Sequence, residues 1–192
     1  MSIINTKVHM GFLTNNAGDD IPGSTIKWTL KTFYKYFDSC IVVDGRLTDS
    51  ALEFYKTIPN IKVINSPWTG RHIDQYIVRN NQVPIGDWLL MLDCDEAPTV
   101  ELAENILYII KFLEDNNIFI ASPPSYNMWC KNNSEEFYKT TWFDPNNPPH
   151  GGKRLLYKNN DKLVFIGNFT GTHVTPHIPD CRIAALPYGH YH

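Results

Sequence analysis

The chain has 192 residues, of which 43% are hydrophobic and 19% are charged, and its net charge is −3. This length and composition fit one globular domain with a real core and exclude a disordered chain. The slight negative charge, with no run of Lys or Arg, argues against a nucleic-acid partner, so an anionic ligand would need a local metal ion, helix N-terminus or arginine.

Short apolar runs alternate with segments of helical periodicity over the first two thirds of the chain. In order, the pattern predicts a strand over 8–13, a helix over 24–37, a strand over 40–43, a helix over 50–58, a strand over 61–64, a helix over 72–82, a strand over 88–92, a helix over 99–114 and a strand over 118–121. Ser50 and Glu53 have the spacing of a capping box at the start of the second helix. The alternation predicts an α/β fold, with a mostly parallel central sheet flanked by helices and ligands beyond the carboxyl ends of its strands.

The character of the sequence changes after this alternation. Residues 122–152 are rich in Pro, Asn and aromatic side chains and show no periodicity, which predicts a functional loop or a partly ordered insertion. Residues 154–157 and 163–166 predict two late strands that form a small antiparallel C-terminal portion. No domain boundary interrupts the sequence, so we expect one domain over 1–192.

Neither the start of the chain nor its cysteines indicate export or a metal framework. The first residues are too polar for a signal peptide, and no apolar run reaches the roughly 20 residues that cross a bilayer. We therefore expect a cytoplasmic protein without a transmembrane segment. The cysteines are scattered without a CxxC pair, which argues against a disulfide framework and structural zinc. They are Cys40, Cys94, Cys130 and Cys181.

Two aspartates, Asp93 and Asp95, follow the most apolar of the predicted strands. On an extended chain, side chains at i and i+2 point the same way, so both carboxylates converge at the carboxyl end of a central strand. Carboxylate oxygens suit Mg²⁺ or Mn²⁺. Such a metal bridges diphosphate oxygens and neutralises the charge of a departing nucleoside diphosphate. The alternative is a solvated acidic turn, but the apolar strand and its place in the sheet favour a metal site.

Three further residues are candidates for contacts to a nucleotide. Asp44 ends the second predicted strand at the same edge, where its carboxylate can accept a hydrogen bond from a base or a ribose hydroxyl. A turn aspartate before Gly45 is the alternative. Arg71 directly precedes the third predicted helix and Arg79 lies within it, and a guanidinium can bind two diphosphate oxygens at once. Either arginine, taken alone, is more typical of a surface residue.

Histidines are concentrated in the last twenty residues of the chain. Among His173, His177, His190 and His192, we favour His190 as a ligand that completes a metal site opposite the two aspartates. The alternative for any single histidine is a structural role.

Several segments together resemble the large family 2 glycosyltransferases, which have the GT-A fold. Residues 41–49, IVVDGRLTD, resemble the V-V-D-x-x-S-x-D nucleotide-binding turn of the family. Residues 79–80 and 86–88, RN and GDW, resemble its R-N…G-D-W segment. Residues 90–96, LMLDCDE, resemble its hydrophobic DxDE metal motif, which is the most specific of these segments.

The late part of the chain extends the resemblance to most of residues 8–192. RLLY at 154–157, GTH at 171–173 and HY at 190–191 resemble the R-L-F…H-E…H-Y sequence of the family. The resemblance implies a GT-A, Rossmann-like fold. It also implies an enzyme that transfers a sugar from a nucleotide-sugar, with UDP-sugars the commonest donors, to a glycan or other hydroxyl acceptor.

The resemblance also implies roles for individual residues. Thr14 and Asp44 would contact the nucleoside, and Arg79 would support the diphosphate. Asp93 would contact the ribose or the metal, and Asp95 would bind Mn²⁺ or Mg²⁺ directly. His190 would be the late metal ligand.

Two positions depart from the family pattern. Leu47 stands where the nucleotide-binding turn usually carries Ser, and Val174 stands where the family often has Glu as a base for inverting transfer. An inverting enzyme needs a group that deprotonates the acceptor hydroxyl. Glu135, Glu136, Asp144 and Asp180 are possible substitutes, and a retaining mechanism without such a base stays open.

Three alternatives to this interpretation remain. Without the expected Glu, one alternative is a nucleotide-sugar or glycan-binding module that has lost catalysis. A haloacid-dehalogenase-type phosphatase also uses DxD, but on its first strand and with Thr or Val where this chain has Ala97. A further alternative is that the chain is the donor-binding module of a longer polypeptide. The aromatic residues of 122–152 either stack on sugar rings or close a small core; they are Tyr126, Trp129, Phe137, Tyr138, Trp142 and Phe143.

Overall fold

The computed structural model describes residues 6–15, 24–130, 137–141, 155–167 and 174–191. The helices are α1 (Ile26–Phe33), α2 (Asp49–Tyr55), α3 (His72–Asn80), α4 (Val100–Glu104) and α5 (Ile106–Asp115), and a 3₁₀ helix (Tyr34–Tyr36) follows α1. The strands are β1 (Val8–Thr14), β2 (Ser39–Asp44), β3 (Ile61–Asn65), β4 (Trp88–Asp93), β5 (Ala97–Pro98), β6 (Ile120–Ser122), β7 (Ser125–Cys130), β8 (Phe137–Thr141), β9 (Leu156–Lys158), β10 (Val164–Gly167), β11 (Val174–His177), β12 (Ile183–Ala185) and β13 (His190–Tyr191).

A seven-stranded sheet forms the centre of the fold, in the order β12-β6-β9-β4-β1-β2-β3. Strands β4, β1, β2 and β3 are parallel to one another, and β9 runs antiparallel between β4 and β6. A second sheet has the order β5-β13-β7-β8, and β10 pairs with β11. The predicted α/β fold, with a mostly parallel central sheet and a small antiparallel portion, is confirmed.

The two central strands lie inside the core. Every residue of β1 is buried, as are the first five residues of β4. Strands that are buried along their length suit a parallel sheet that is covered on both faces. Their burial fixes the carboxyl edge of the sheet, because neither strand can shift its register without exposing apolar side chains.

Three local predictions about the helices were wrong. The helix predicted over 24–37 ends at Phe33 and continues as the 3₁₀ helix. The helix predicted over 99–114 is interrupted at Asn105, whose φ of −99° and ψ of 6° leave the helical region. The second helix is capped by Thr48, whose hydroxyl accepts from the N–H of Ala51 at 3.2 Å, and not by a capping box at Ser50.

The segment predicted as a loop contains two strands. β7 and β8 pair antiparallel within residues 122–152, and β7 also pairs in parallel with β13 from the end of the chain. These strands lack a clean apolar alternation, and part of their pairing comes from a partner about sixty residues away. Such long-range pairing leaves no local signal in the sequence.

Within the described ranges, no helix combines the length and the apolarity that crossing a membrane requires.

Candidate functional site

The carboxyl ends of four parallel strands meet at one edge of the central sheet. Thr14 is paired with Asp44 across β1 and β2, and Asp44 with Asn65 across β2 and β3. Asp93, the last residue of β4, is paired with Leu13 of β1. The structure therefore brings Thr14, Asp44 and Asp93 to the same edge. An open α/β sheet binds its ligands at this edge.

The acidic segment after β4 is a tight turn over Asp93–Glu96. The N–H of Glu96 donates to the carbonyl oxygen of Asp93 at 3.1 Å. The N–H of Asp93 donates in return to Oε2 of Glu96 at 2.8 Å. Asp95 is exposed and Asp93 is half-buried, whereas Glu96 is only 1% exposed. The turn thus directs Glu96 into the protein and leaves the two aspartates nearer to solvent.

We call the turn over Asp93–Glu96 the acidic turn. The start of α1 holds its backbone in place. The N–H of Thr25 donates to the carbonyl oxygen of Cys94 at 2.9 Å, and the hydroxyl of Thr29 donates to that of Glu96 at 3.4 Å. Burial, followed by the charges of Asp95 and Asp93, raises the pKa of Cys94 to about 11. The Cys94 thiol is therefore protonated at neutral pH, and a protonated thiol is neither a nucleophile nor a metal ligand.

His190 lies beside the acidic turn but faces away from solvent. Strand β13 pairs antiparallel with β5, which places His190 opposite Pro98. The His190 side chain is 0% exposed, and its Nε2 lies 3.5 Å from Oε1 of Glu96. The backbone N–H of His190 donates to the carbonyl oxygen of Pro124 at 3.0 Å. The contact that the structure shows for the imidazole is thus with Glu96.

The predicted three-residue metal site is not present as a ready-made cluster. In the part of the chain that the structure describes, no three His, Cys, Asp or Glu side chains are arranged to hold a metal ion. Asp93 and Asp95 supply the carboxylate oxygens that Mg²⁺ and Mn²⁺ prefer, and their position at the sheet edge fits such an ion. His190 does not join them in this arrangement, because its ring is buried against Glu96.

Asp44 and Thr14 shape the edge of the sheet next to this turn. Asp44 is 0% exposed, and its Oδ1 accepts from the N–H of Arg46 at 2.9 Å. The carbonyl oxygen of Thr14 accepts from the N–H of Gly45 at 2.9 Å. A carboxylate that bonds the backbone two residues later stabilises a turn. The structure thus gives Asp44 a turn-forming contact, and its contact with a nucleoside stays a prediction.

The two candidate arginines differ completely in their surroundings. Arg71 occupies the N-cap position of α3, in the segment that leaves the carboxyl end of β3. Its side chain is 68% exposed, with Nε 3.9 Å from Oδ1 of Asp74. Arg79 is 0% exposed. Its Nη1 donates to the carbonyl oxygen of Gly11 at 3.4 Å, and its guanidinium lies 4.7 Å from the centre of the Tyr76 ring. The predicted diphosphate contact therefore fits the position of Arg71 but not the buried position of Arg79.

The other predicted site residues are distributed as follows. Glu135, Glu136, Asp144, His173 and His192 lie outside the described residues. Val174 and His177 lie on β11. Asp180 lines a cleft with Lys158, which pairs with Trp88 at the amino end of β4. The position of Asp180 is thus at the edge of the sheet opposite to Asp93, where it does not serve as a base for chemistry at the acidic turn.

Glu96 is the residue of the site to which sequence reasoning gave no role. The acid is visible in the DCDE segment, but spacing alone does not say that its side chain turns inward. The signal that was available is the apolar segment that follows, since Ala97 and Pro98 form the buried strand β5. An acid between an exposed turn and a buried strand is a candidate for an internal contact.

Known proteins resemble the chain in sequence and in fold. No protein-family model matches it. Over 72 residues it is 38% identical to an uncharacterized glycosyltransferase of Rickettsia typhi and 36% identical to one of Rickettsia prowazekii. Each match covers 38% of this chain and 24% of the relative, so the matched segment is about a quarter of each relative's length.

One solved structure supports the fold. A crystal structure of residues 1–349 of S. aureus TarS matches with a TM-score of 0.50 at 18% identity, over 68% of this chain and 39% of that chain. The resemblance to glycosyltransferases and the fold predicted from the sequence are both confirmed. The chain has the GT-A fold and is a homologue of proteins named glycosyltransferases.

Proposed function

We propose that the protein is a glycosyltransferase that uses a divalent cation, held by Asp93 and Asp95, to bind and activate a nucleotide-sugar donor. The observation that carries this proposal is the acidic turn at the carboxyl end of β4, which keeps two aspartates near solvent while its third acid is buried. The sequence similarity to named glycosyltransferases supports the same activity.

The remaining parts of the donor site follow from the geometry of the edge. A bound Mn²⁺ or Mg²⁺ would neutralise charge on the departing nucleoside diphosphate. Arg71 is exposed in the segment after β3, where a guanidinium can reach diphosphate oxygens. Thr14 and Asp44 lie at the ends of adjacent strands, on the side where a nucleoside would bind. We propose a UDP-sugar as donor and a glycan or another hydroxyl compound as acceptor.

We also propose that the described elements form one donor-binding domain. Strand β5 follows the acidic turn directly and pairs with β13. Both strands belong to the small sheet that also holds β7 and β8. The small sheet is thereby joined to the end of β4. A single cooperative unfolding transition, seen equally by fluorescence and circular dichroism, would support one domain.

A binding module without catalysis is the second candidate function. The observation that favours it is Val174, which is half-buried on β11 where the family often has a glutamate. A binder and an enzyme would both form a complex with the donor. Only the enzyme releases free nucleotide, so a nucleotide-release assay with UDP-sugars separates the two. The phosphatase alternative is disfavoured, because β1 ends in Thr14 and carries no acidic pair.

The test of the donor site is thermal unfolding with UDP, GDP, ADP and CMP, each measured with Mn²⁺ and with EDTA. A nucleotide at about a hundred times its Kd stabilises the folded state by roughly 2.7 kcal/mol. We expect UDP to raise Tm by several degrees with Mn²⁺ and much less with EDTA. If no nucleotide raises Tm with either Mn²⁺ or Mg²⁺, the proposed donor site is wrong.

A further inference from the structure

Glu96 differs from the two aspartates of the acidic turn because its carboxylate is inside the protein. Glu96 is 1% exposed, whereas the preceding residue, Asp95, is exposed. A buried carboxylate is costly unless hydrogen bonds or opposite charges compensate for its lost hydration. The contacts of Glu96 therefore show what this position stabilises.

The Glu96 carboxylate joins two segments that are far apart in the sequence. Its Oε2 accepts the N–H of Asp93 at 2.8 Å, across the acidic turn. Its Oε1 lies 3.5 Å from Nε2 of His190 on β13. The backbone of His190 is itself held in place, because its N–H donates to the carbonyl oxygen of Pro124 at 3.0 Å. One side chain thus connects the end of β4 with the small sheet.

We infer that Glu96 is a positioning residue, which sets the spacing of the Asp93 and Asp95 carboxylates by closing the acidic turn and anchoring it to His190. This inference rests on the proposed function, because the carboxylates are positioned for a cation. It gives His190 a supporting contact in place of a ligand bond to the metal.

The reason is that two carboxylates bind one cation more tightly when their separation is fixed before binding. Two hydrogen bonds close the turn. The backbone N–H of Glu96 donates to the carbonyl oxygen of Asp93, and the N–H of Asp93 donates to the side chain of Glu96. Without the Glu96 side chain, the N–H of Asp93 loses its acceptor and the turn gains freedom. Loss of a residue that orients metal ligands typically weakens metal affinity by about 10- to 100-fold.

The experiment compares four variants with the wild-type chain: Glu96→Ala, Glu96→Gln, Glu96→Asp and, as a matched control, Glu114→Ala. Glu114 is also a hydrogen-bonded acid, but it is only partly buried, accepts from Trp88 Nε1 at 3.0 Å and pairs with Lys158, near the opposite edge of the sheet. One readout is the Kd for UDP with Mn²⁺, measured by calorimetry. The other is hydrogen exchange of the Asp93 amide measured by NMR, which needs no ligand.

We expect E96A to bind UDP with Mn²⁺ about 10- to 100-fold more weakly and to exchange the Asp93 amide faster. E96Q keeps an oxygen that accepts the Asp93 N–H, so both readouts should stay close to wild type. E96D keeps the charge but is one methylene shorter, so it should weaken binding even if E96A does not fold. E114A should lower Tm while leaving the Kd and the Asp93 exchange rate unchanged.

The outcomes separate this inference from the proposed function. If the wild-type chain binds UDP with Mn²⁺ and both E96A and E96D bind it equally well, the inference is overturned and the proposed function stands. If E114A weakens binding as much as the Glu96 variants, the effect is one of general stability and the inference is overturned. If the wild-type chain binds no nucleotide with Mn²⁺ or Mg²⁺, the proposed function fails and the inference fails with it.

Discussion

Arg79 lies directly over Gly11, where the absence of a side chain on β1 leaves the space that the arginine fills. A Cβ atom at Gly11 would lie 2.9 Å from Cδ of Arg79 and 2.8 Å from Cδ1 of Leu89. Arg79 also donates to the carbonyl oxygen of Gly11 at 3.4 Å. Glycine at position 11 thus leaves room for the Arg79 side chain where α3 packs on the centre of the sheet.

The first prediction concerns this contact. Gly11→Ala adds a methyl group between two packed side chains, and overpacking of this kind costs about 1–3 kcal/mol. We expect a lower urea midpoint with an unchanged m-value. The added group is buried at mid-strand, so nucleotide affinity should change little at temperatures where the variant is folded. An unchanged urea midpoint would show that α3 packs less closely on β1 than the structure indicates.

The second prediction tests whether Arg79 acts in packing or in binding. Arg79→Met keeps an unbranched apolar stem of similar length and removes a buried charge, a change that is often neutral or stabilising. We expect stability near wild type and an unchanged Kd for UDP with Mn²⁺, since Arg79 is 0% exposed. Arg79→Ala leaves a cavity and should lower stability by about 2 kcal/mol or more. A tenfold weaker Kd in R79M, at unchanged stability, would instead support the diphosphate role predicted from the sequence.

The third prediction concerns the exposed acid of the acidic turn. Asp95→Asn keeps the size of the side chain but weakens a ligand for a hard cation. We expect Mn²⁺-dependent UDP binding to weaken at least about tenfold, since loss of charge on one of two ligands affects the cation directly. Stability without ligand should stay within about 0.5 kcal/mol, as for most surface changes. Asp161→Asn, at an exposed position in the cleft near the opposite edge, is the control and should bind like wild type.

The parts of the fold that the sequence predicts are those with local periodicity. Strand β4 is read directly from five consecutive apolar residues, and its pair of aspartates marks the edge of the sheet. Strands β12 and β13 were not predicted, because each pairs with a strand that is distant along the chain: β13 with β5, and β12 with β6. Periodicity carries no information about such partners.

The same distinction applies to the candidate site. Asp93 and Asp95 are recognisable from spacing after a strand, whereas the buried contact of Glu96 with His190 depends on how β13 returns to β5. Arg79 shows the converse. Its place in the helix just before β4 suggested a contact with the ligand, but the helix face that it occupies packs on Gly11. The face of a polar residue is decided by tertiary packing, so residue type and order are insufficient there.

The fourth prediction concerns the pKa of the Glu114 carboxyl group. Burial acts to raise the pKa of Glu114, but hydrogen bonds from Lys158, Trp88 and Thr6, with the charge of Lys158, outweigh it and lower the pKa below its ordinary value of 4.5. A carboxylate whose pKa is lowered by folding stabilises the folded state above its unfolded pKa, and this stabilisation is lost as pH falls through the folded value.

This prediction is measured by urea unfolding between pH 7 and pH 3. The wild-type chain should lose stability as the pH falls below about 4.5, the unperturbed value of a glutamate. The E114Q variant lacks this carboxylate, so it should be less stable than wild type at pH 7 and should approach wild type at the acid end. A difference between the two proteins that stays constant over this range would contradict the ionised ion pair with Lys158.

The fifth prediction concerns Gly189, which lets β13 approach β7. A Cβ atom at this position would lie 2.3 Å from Cε2 of Tyr126 and 2.4 Å from the carbonyl oxygen of Pro124. Because the second of these is a backbone atom, no rotamer change can relieve the contact. Gly189→Ala should therefore shift β13, and with it His190, whose N–H donates to that same carbonyl oxygen. We expect a larger loss of stability than for Gly11→Ala, whose neighbours are both side chains and can move.

We also expect G189A to bind UDP with Mn²⁺ more weakly, because the support that His190 gives to Glu96 is displaced. The measurement is urea unfolding of both variants, followed by calorimetry at a temperature where G189A is folded. If G189A is less stable but binds UDP as tightly as wild type, then β13 closes the small sheet without affecting the acidic turn.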